Sequence, residues 1–513
     1  LILRAEQGDE AADAIVKKII RKIAVVIANT VLMLNSEMVI LGGDSEIFTE
    51  ENIVEIKKIL EKVCPFVPEV VTSKLGADAP IIGGIKVALD YAEEQIIMLW
   101  KSYENDIDAY MDILLKERLV SYYEKHILED VMPFWDRRCI DKEYGGYITC
   151  FDREGKMTDD KKYIWFQGRQ LYIYSLLYNK VRKKKEWLEN AKHGFSFLVK
   201  YGYAGDGRWN YVLDRKGNVL EGTISIFSDF HVLQGVAEYL KIEEVRTPEN
   251  MELLKTCYET MEKNVFDPWF KEIYENTWSP VFIWHDMYLT CLSTTETCAE
   301  VLGTDVTKKL LNECVDKIAN WFANDEYNVV FEAVTRENKI DIESDKGRFI
   351  NPGHMHESAW FLMKAGVLLE DKQITMRGIQ IARWANAVGK DEEYGGIISY
   401  ADALGETPRP IDWFKETNSL WNEKVWWPNA EALTAYAQAY CYTKDSYFLQ
   451  EFLDQHNYCK EKFFDSQYKE WFERLEYDGT VKNSAKGTPW KCAFHLVRAL
   501  VFTLEAFSEM EAV

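Results

Sequence analysis

From about Ser102 onward the sequence is built from one recurring pattern, a pair of amphipathic helices followed by a turn-rich, strand-like segment. Twelve helical stretches start near residues 104, 163, 186, 228, 248, 282, 305, 354, 373, 427, 446 and 490. The segments between pairs include Tyr144–Phe151, Arg208–Leu213, Lys271–Tyr274, Tyr327–Phe331, Tyr394–Tyr400 and Glu470–Leu475. Asp152-Arg153-Glu154-Gly155, Asp214-Arg215-Lys216-Gly217 and Tyr477-Asp478-Gly479 read as hairpin turns. The interval of roughly 55–75 residues is long for an open solenoid but suits a helix pair plus a hairpin. Six such units close naturally into a mainly α, (α/α)6 barrel with short β-hairpins. Closure buries one face of each helix and gathers loops from distant repeats at one mouth. An open helical solenoid is the alternative, and it would not bring distant polar residues to one point.

The first hundred residues follow another rule. Ala11–Leu34 is a long apolar-periodic helix, Glu37–Asp44 a strand ending in a glycine turn, and Glu50–Val63 an amphipathic helix. Glu69–Ser73 is a short strand and Ile81–Trp100 a helix. Helix and strand in alternation point to a small α/β layer. The organisation read from sequence is therefore an α/β fragment over 1–101 and a barrel over 102–513.

Charge and cysteine usage narrow the partners. A net charge of −23 is repelled by nucleic acid and by anionic lipid, but a neutral sugar feels little of it. The 10 cysteines form no Cys-x-x-Cys pair, which suits reduced thiols in a cytoplasmic protein. No secretory signal is read at the start, and Leu1 is not an initiator methionine. Ile23–Leu41, the most apolar run, is interrupted by Asn29, Thr30, Asn35 and Glu37, and reads as helix then strand rather than a membrane span. With 17 Trp and 28 Tyr, the chain has ring faces enough to line a sugar cleft, although packing alone absorbs most such residues.

Four polar stretches fall at or near starts of barrel helices: Trp165-Phe166-Gln167-Gly168-Arg169-Gln170, Gly353-His354-Met355-His356-Glu357, Val425-Trp426-Trp427-Pro428-Asn429-Ala430-Glu431, and Lys486–Arg498. His354 and Glu357 are three apart on one face of a first helical turn, where the helix dipole favours negative charge. A histidine and a carboxylate so presented are acid/base equipment. Together with Ile226-Phe227-Ser228-Asp229, Phe331-Glu332-Ala333-Val334 and Lys469-Glu470-Trp471-Phe472, these stretches resemble the N-acylglucosamine 2-epimerase family over about residues 105–510. Asn351-Pro352-Gly353-His354 and the Phe331–Val334 segment look like the N-acylglucosamine branch. His231 in Phe230-His231-Val232-Leu233 looks like the cellobiose 2-epimerase branch, and Asn429 stands where many N-acylglucosamine members have histidine.

The resemblance implies interconversion of N-acetylglucosamine and N-acetylmannosamine. His354 and His495 would remove and return a proton at C2 through an enediolate. Arg169 would steady the developing charge, while Glu357 and Glu431 would hold sugar hydroxyls, assist ring opening or orient a histidine. Trp426, Trp427 and Trp490 would form stacking walls. His231 divides between site and core, and Asn429 between sugar contact and helix cap. His356 sits beside the pair but off its face. His126, His193, His285 and His456 read as structural or surface residues, and Lys486 as a loop charge. No metal or redox cofactor is expected, and the resemblance allows ATP as an activator that is not consumed, and a homodimer. Cellobiose epimerisation and mannose–fructose isomerisation are the alternative reactions. A non-catalytic sugar- or nucleotide-sensing barrel is the alternative of another class.

Gly8-Asp9, Val39-Ile40-Leu41-Gly42-Gly43 and Ala77-Asp78-Ala79-Pro80-Ile81-Ile82-Gly83-Gly84 resemble the C-terminal end of the ROK family of sugar kinases, where the glycine turn borders adenine. That family's phosphate loop, catalytic aspartate and zinc cysteines would lie upstream, so no kinase activity is expected from this sequence.

Overall fold

The computed structural model describes residues 2–34, 38–41, 47–64, 67–72, 105–267, 281–411 and 417–510. The chain forms two compact units, Leu1–Ser121 with Met510–Val513, and Tyr122–Glu509. In the first, helices Glu10–Leu34 and Glu50–Val63 pack around Ile20, Ala24, Val31, Ile56 and Leu60. The Thr49 hydroxyl caps the second helix by accepting from the Asn52 N–H. Strands Met38–Leu41 and Glu69–Thr72 pair in parallel, Met38 opposite Glu69. This is the helix–strand alternation expected. The Gly42-Gly43 turn, the Ala77–Gly84 segment, the Ile81–Trp100 helix and the Lys271–Tyr274 strand lie outside the described residues.

The larger unit is an (α/α)6 barrel. Its inner helices are α1 (Ile164–Leu176), α2 (Ile226–Leu240), α3 (His285–Leu302), α4 (Pro352–Leu368), α5 (Trp426–Thr443) and α6 (Phe494–Glu509). Each packs on the next, and α6 returns onto α1 to close the ring. Inner helices are buried nearly all round, whereas outer helices such as Lys185–Phe197 and Thr304–Asp316 bury one stripe. The twelve helices read from periodicity, the first of which, Asn105–Lys125, belongs mostly to the smaller unit, all begin within four residues of the positions read. Between α1 and α2 the backbones meet closely: a Cβ on Gly168 would lie 2.6 Å from the His231 carbonyl oxygen, and one on Gly235 2.4 Å from that of Gly168.

Short ladders fix where the inner helices start. Lys162–Tyr163, Phe282–Trp284, Phe349–Ile350 and Lys424–Val425 each run directly into an inner helix. They pair antiparallel with Val212–Leu213, Ala333–Thr335, Ala401–Asp402 and Arg474–Leu475. All therefore lie at one end of the barrel, the end that carries the inner-helix N-termini.

A repeated clamp reinforces three adjacent sectors. Asp141, Asp391 and Asp465 each accept backbone N–H bonds two and three residues ahead. Each also pairs with a fully buried lysine: Lys162 at 2.9 Å, Lys424 at 2.5 Å and Lys486 at 3.1 Å. Lys486, read as a loop charge, is thus a core ion pair, and burial pulls its pKa down to about 8. Two left-handed residues follow: Gly145 and Gly146 in one loop, Gly395 and Gly396 in another, and Lys469 (φ 68°) and Glu470 (φ 60°) in the third. The next residue is gripped from an inner helix or its lead-in. The Gln167 amide bonds both N–H and C=O of Tyr147, at 2.7 and 2.8 Å. The Asn429 amide does the same to Ile397, at 2.8 and 3.1 Å. In the third loop the Lys491 ammonium donates to the Trp471 carbonyl at 2.9 Å.

Replacing Gln167 by alanine leaves the buried Tyr147 N–H without its partner, while the Tyr147 carbonyl keeps Lys162 at 3.3 Å. Replacing Asn429 takes the amide from both N–H and C=O of Ile397. The loss is about 1–3 kcal/mol for each group left unpaired. Thermal denaturation of each variant is expected to show a clearly lowered midpoint. An unchanged midpoint would mean the clamp contributes nothing.

Candidate active site

The barrel end carrying the inner-helix N-termini holds a buried polar cluster drawn from α1 to α6. Asn351 caps α4 by accepting the His354 N–H at 3.3 Å, and Pro352 occupies the first turn. A Cβ on Gly353 would lie 2.5 Å from the Trp427 ring, so only glycine lets α4 approach that indole. Trp427 then contacts two imidazoles, its ring centroid 5.2 Å from His354 and 5.4 Å from His495. The sequence positions of these histidines are 141 apart; the fold brings both against one ring.

Their surroundings differ. His354 Nδ1 meets both Glu332 oxygens at 3.0 and 3.1 Å. The same carboxylate accepts from His285 Nδ1 at 3.1 Å, and His285 Nε2 meets Ser358 Oγ at 2.6 Å. Burial opposes charge on His354, but the Glu332 carboxylate outweighs it and raises the imidazole to about 9. Burial likewise opposes ionisation of Glu332, and the two histidines overcome it, holding the carboxyl near 2. His354 is therefore an imidazolium at neutral pH.

His495 faces a different arrangement. Its Nδ1 lies 2.8 Å from Glu431 Oε1 and 3.7 Å from Glu357 Oε1. Both carboxylates are bridged by Arg498 Nη2, at 2.5 Å to Glu431. Trp360 Nε1 donates to the other Glu431 oxygen at 3.0 Å. Burial lowers His495 well below the usual imidazole value; Glu357 works against that, while Arg169, Arg498 and His354 add to it. His495 is neutral, with Nδ1–H donated to Glu431 and Nε2 left as the basic lone pair. The side chains of His354 and His495 are 22% and 12% exposed, so each reaches solvent.

Arg169 lies at the start of α1 with its guanidinium 4.8 Å from the Trp165 ring and 4.7 Å from that of Phe494. Its Nη2 donates to His231 Nε2 at 2.9 Å, which requires His231 to be neutral with the proton on Nδ1. Burial and the neighbouring Arg169 charge keep His231 that way. Burial lowers Arg169 to about 10, still charged at neutral pH.

Several expected roles change. Asn429 was expected to touch sugar or cap a helix; it is fully buried and its amide is committed to Ile397 and to the Val425 carbonyl. Glu431 is fully buried and saturated by His495, Arg498 and Trp360, so of its expected roles only orienting a histidine fits. Trp426 is buried and meets His495 edge-on at 6.5 Å, which backs that imidazole instead of offering a free face. Trp490 is 69% exposed and stands edge-on to Trp165 at 6.0 Å. His356 is buried against Tyr436, and burial alone lowers it to about 3. His126 and His456 are core residues bonded to Asp130 and Tyr123.

His285, Glu332 and Arg498 join the cluster without having been assigned to it. Arg498 was signalled by its spacing of three from His495, which puts both on one helix face. His285 was signalled by its place directly after an apolar strand, like Trp426. Among the described residues, two groups have metal-ligand composition: His285 with Glu332 and His354, and Glu357 with Glu431 and His495.

The N-acylglucosamine 2-epimerase (GlcNAc 2-epimerase) family model matches residues 146–499. The chain belongs to this family. It is an isomerase of the epimerase type. An N-acylglucosamine 2-epimerase of Mus musculus is 30% identical over 393 residues, 73% of this chain and 88% of that protein. A cellobiose 2-epimerase of Dictyoglomus turgidum is 24% identical over 390 residues, covering 72% and 94%. The solved cellobiose 2-epimerase of Bacillus thermoamylovorans B4167 superposes with TM-score 0.65 at 21% identity, over 76% of this chain and 99% of that one. That likeness establishes the barrel fold. Residues 1–91 match the ROK family model. No helix among the described residues is long and apolar enough to cross a membrane.

Arg498 bridges two carboxylates and sets a positive charge beside His495. Arg498→Met removes the opposing positive charge, so His495 is expected to take up a proton at higher pH. The acidic limb of the pH–rate profile of the family reaction should move up, and Arg498→Lys should restore part of the shift. An unmoved acidic limb would exclude this role.

Proposed function

We propose that the barrel interconverts N-acetylglucosamine and N-acetylmannosamine by proton transfer at C2. The observation that carries this reading is two imidazoles against one indole in opposite surroundings, His354 on the Glu332 carboxylate, which raises it, and His495 buried beside Arg169 and Arg498, which lower it. The C2–H of an open-chain aldose is acidic because the adjacent aldehyde accepts the electron pair. His495 Nε2 removes that proton, the C2–H pair moves into the C1–C2 bond, and the carbonyl oxygen becomes the oxyanion of an enolate, which is an enediolate only where C2 bears a hydroxyl as in cellobiose. His354 Nε2–H then protonates C2 from the opposite face, and the C1 carbonyl re-forms. Arg169 supplies a fixed positive charge for the oxyanion. Substrate and product are isomers, so no electrons are gained or lost. Trp427, half-buried and in contact with both histidines, supplies a wall against the sugar carbons.

Trp490 favours a second reading. A largely exposed indole beside Trp165 offers a stacking platform beyond the reacting ring, which suits a disaccharide such as cellobiose. ATP as an activator that is not consumed, and a homodimer, belong to the proposal by family resemblance alone.

The test is incubation with each sugar in deuterated water. N-acetylglucosamine is expected to gain deuterium at C2 as N-acetylmannosamine forms; wash-in with cellobiose alone would favour the second reading, and none with any aldose would sink both. His354→Asn and His495→Asn should each lose on the order of 10²–10⁴-fold in turnover with the fold retained.

The pH dependence follows from the same pair. His354 must be charged, so activity in the direction that uses His495 as base should fall as pH rises through about 9. Glu332→Gln removes the anion that raises His354, and should move the alkaline limb down by about 1–2 pH units. A limb that stays put would show that Glu332 does not set the acid.

A further inference from the structure

The two metal-ligand groups at the barrel mouth differ in one respect. In the Glu357, Glu431 and His495 group the place of a cation is filled, because Arg498 bridges both carboxylates. In the His285, Glu332 and His354 group, the hydrogen-bond partners of the Glu332 side chain among the described residues are two imidazoles. Glu332 Oε1 is shared between His285 Nδ1 at 3.1 Å and His354 Nδ1 at 3.0 Å. Tetrahedral ligands about 2.0–2.2 Å from a common ion sit roughly 3.3–3.6 Å from one another, so these contacts need open by only a few tenths of an ångström, and the three ligand atoms already lie within 4.8 Å of one another. The three side chains come from three separate segments, each fixed independently. His285 opens α3 and its backbone N–H bonds the Glu332 carbonyl at 3.0 Å. Glu332 directly precedes the Ala333–Thr335 strand, and His354 is held by the Asn351 cap. Ser358 Oγ meets the distal nitrogen of His285, the outer contact that orients a ligating imidazole. A further carboxylate is adjacent: Asp286 Oδ1 is buried without a hydrogen-bond partner.

We infer that His285, Glu332 and His354 form a binding site for one zinc ion, and that zinc at this site switches the reaction off. Two imidazoles and a carboxylate suit a borderline-soft divalent ion. Binding balances as follows. His354 gives up its Nδ1 proton to solvent and ligates as neutral imidazole. The His285 proton moves from Nδ1 to Nε2, where Ser358 Oγ turns from donor to acceptor. Glu332 ligates without change of charge, and Asp286 or a water completes the shell. His354 then keeps its Nε2–H, but as a neutral ligating imidazole it is a far weaker acid than the imidazolium that the proposed reaction uses to protonate C2. Zinc binding itself does not depend on the proposed reaction; only the inhibition rests on it.

The test uses the full chain stripped with a chelator and dialysed. Titration with zinc chloride, without sugar, is expected to show one site per chain with proton release. His285→Gln and Glu332→Gln should weaken it at least tenfold, with circular dichroism confirming that each variant folds. Ser358→Ala should weaken it less and guards against loss of fold in the other two. Cobalt(II) should give the visible absorption of a low-coordinate nitrogen–oxygen site, lost in the same variants. No stoichiometric binding, or binding that survives His285→Gln and vanishes in Glu357→Gln, overturns the assignment. C2 exchange in the stripped protein should fall as zinc is added and return with chelator. Exchange that persists when the site is full overturns the switch. Zinc binding in a protein that never exchanges C2 protons would leave the site standing and remove the proposed reaction.

Discussion

One guanidinium holds the reacting end of the barrel together. Arg498, buried on α6, binds Glu357 from α4 and Glu431 from α5, so a single cation ties three adjacent inner helices at the level of the two histidines. Buried carboxylates this close would otherwise share a proton or draw one onto His495. Breaking a pair of this kind costs about 3–5 kcal/mol, because the remaining charge stays buried. The stacking of Arg498 on Phe494 and Trp360, 4.5 and 5.2 Å from the ring centroids, removes its freedom to find other partners.

The clamps around the mouth explain how so polar a cluster is held in register. Asp141, Asp391 and Asp465 organise their loops through backbone N–H bonds, and each is neutralised by a buried lysine just ahead of an inner helix or its lead-in loop. The helices concerned, α5, α6 and α1, carry Glu431, His495, Arg498 and Arg169. In the third loop Lys469 and Glu470 adopt the left-handed conformation that glycine fills elsewhere, at a cost of about 1–3 kcal/mol each. The Glu470 carboxylate meets Lys491 at 2.5 Å, and Lys491 in turn holds the Trp471 carbonyl, so the strained loop is tied to the segment that leads into His495. On the opposite side, where His285, Glu332 and His354 meet, strand pairing between Phe282–Trp284 and Ala333–Thr335 does the equivalent work.

Much of this was legible in sequence because it rests on periodicity. The helix starts, the hairpin turns at Gly155, Gly217 and Gly479, and the pairing of His354 with His495 all follow from local patterns and family resemblance. What periodicity does not carry is which polar group spends its bonds inside the protein. Asn429 and Gln167 look like mouth-facing amides, yet both are used up on backbone groups of a loop distant in sequence. Lys486 looks like a surface charge, because its partner Asp465 lies in another hairpin. His285 was set aside as structural since nothing in its own stretch announces Glu332, which lies 47 residues on. Glu431 illustrates the same limit, as its three partners sit on two other helices.

The asymmetry of the two imidazoles has a kinetic corollary. One passage of a proton through the proposed reaction leaves His495 charged and His354 neutral, the reverse of the resting arrangement. Glu332 favours recharging His354, and Arg498 with burial favours discharging His495, so the protein relaxes towards the state it began in. That relaxation needs proton exchange with water. Neither imidazole is sealed, since 22% of the His354 side chain and 12% of the His495 side chain remain accessible. Full burial would sharpen the difference between the two groups but strand the proton after a single passage. Complete exposure would return both towards the ordinary imidazole value and erase the division between acid and base. The partial exposure observed is the compromise that lets two fixed charges, Glu332 and Arg498, assign opposite roles to identical side chains and still reset them.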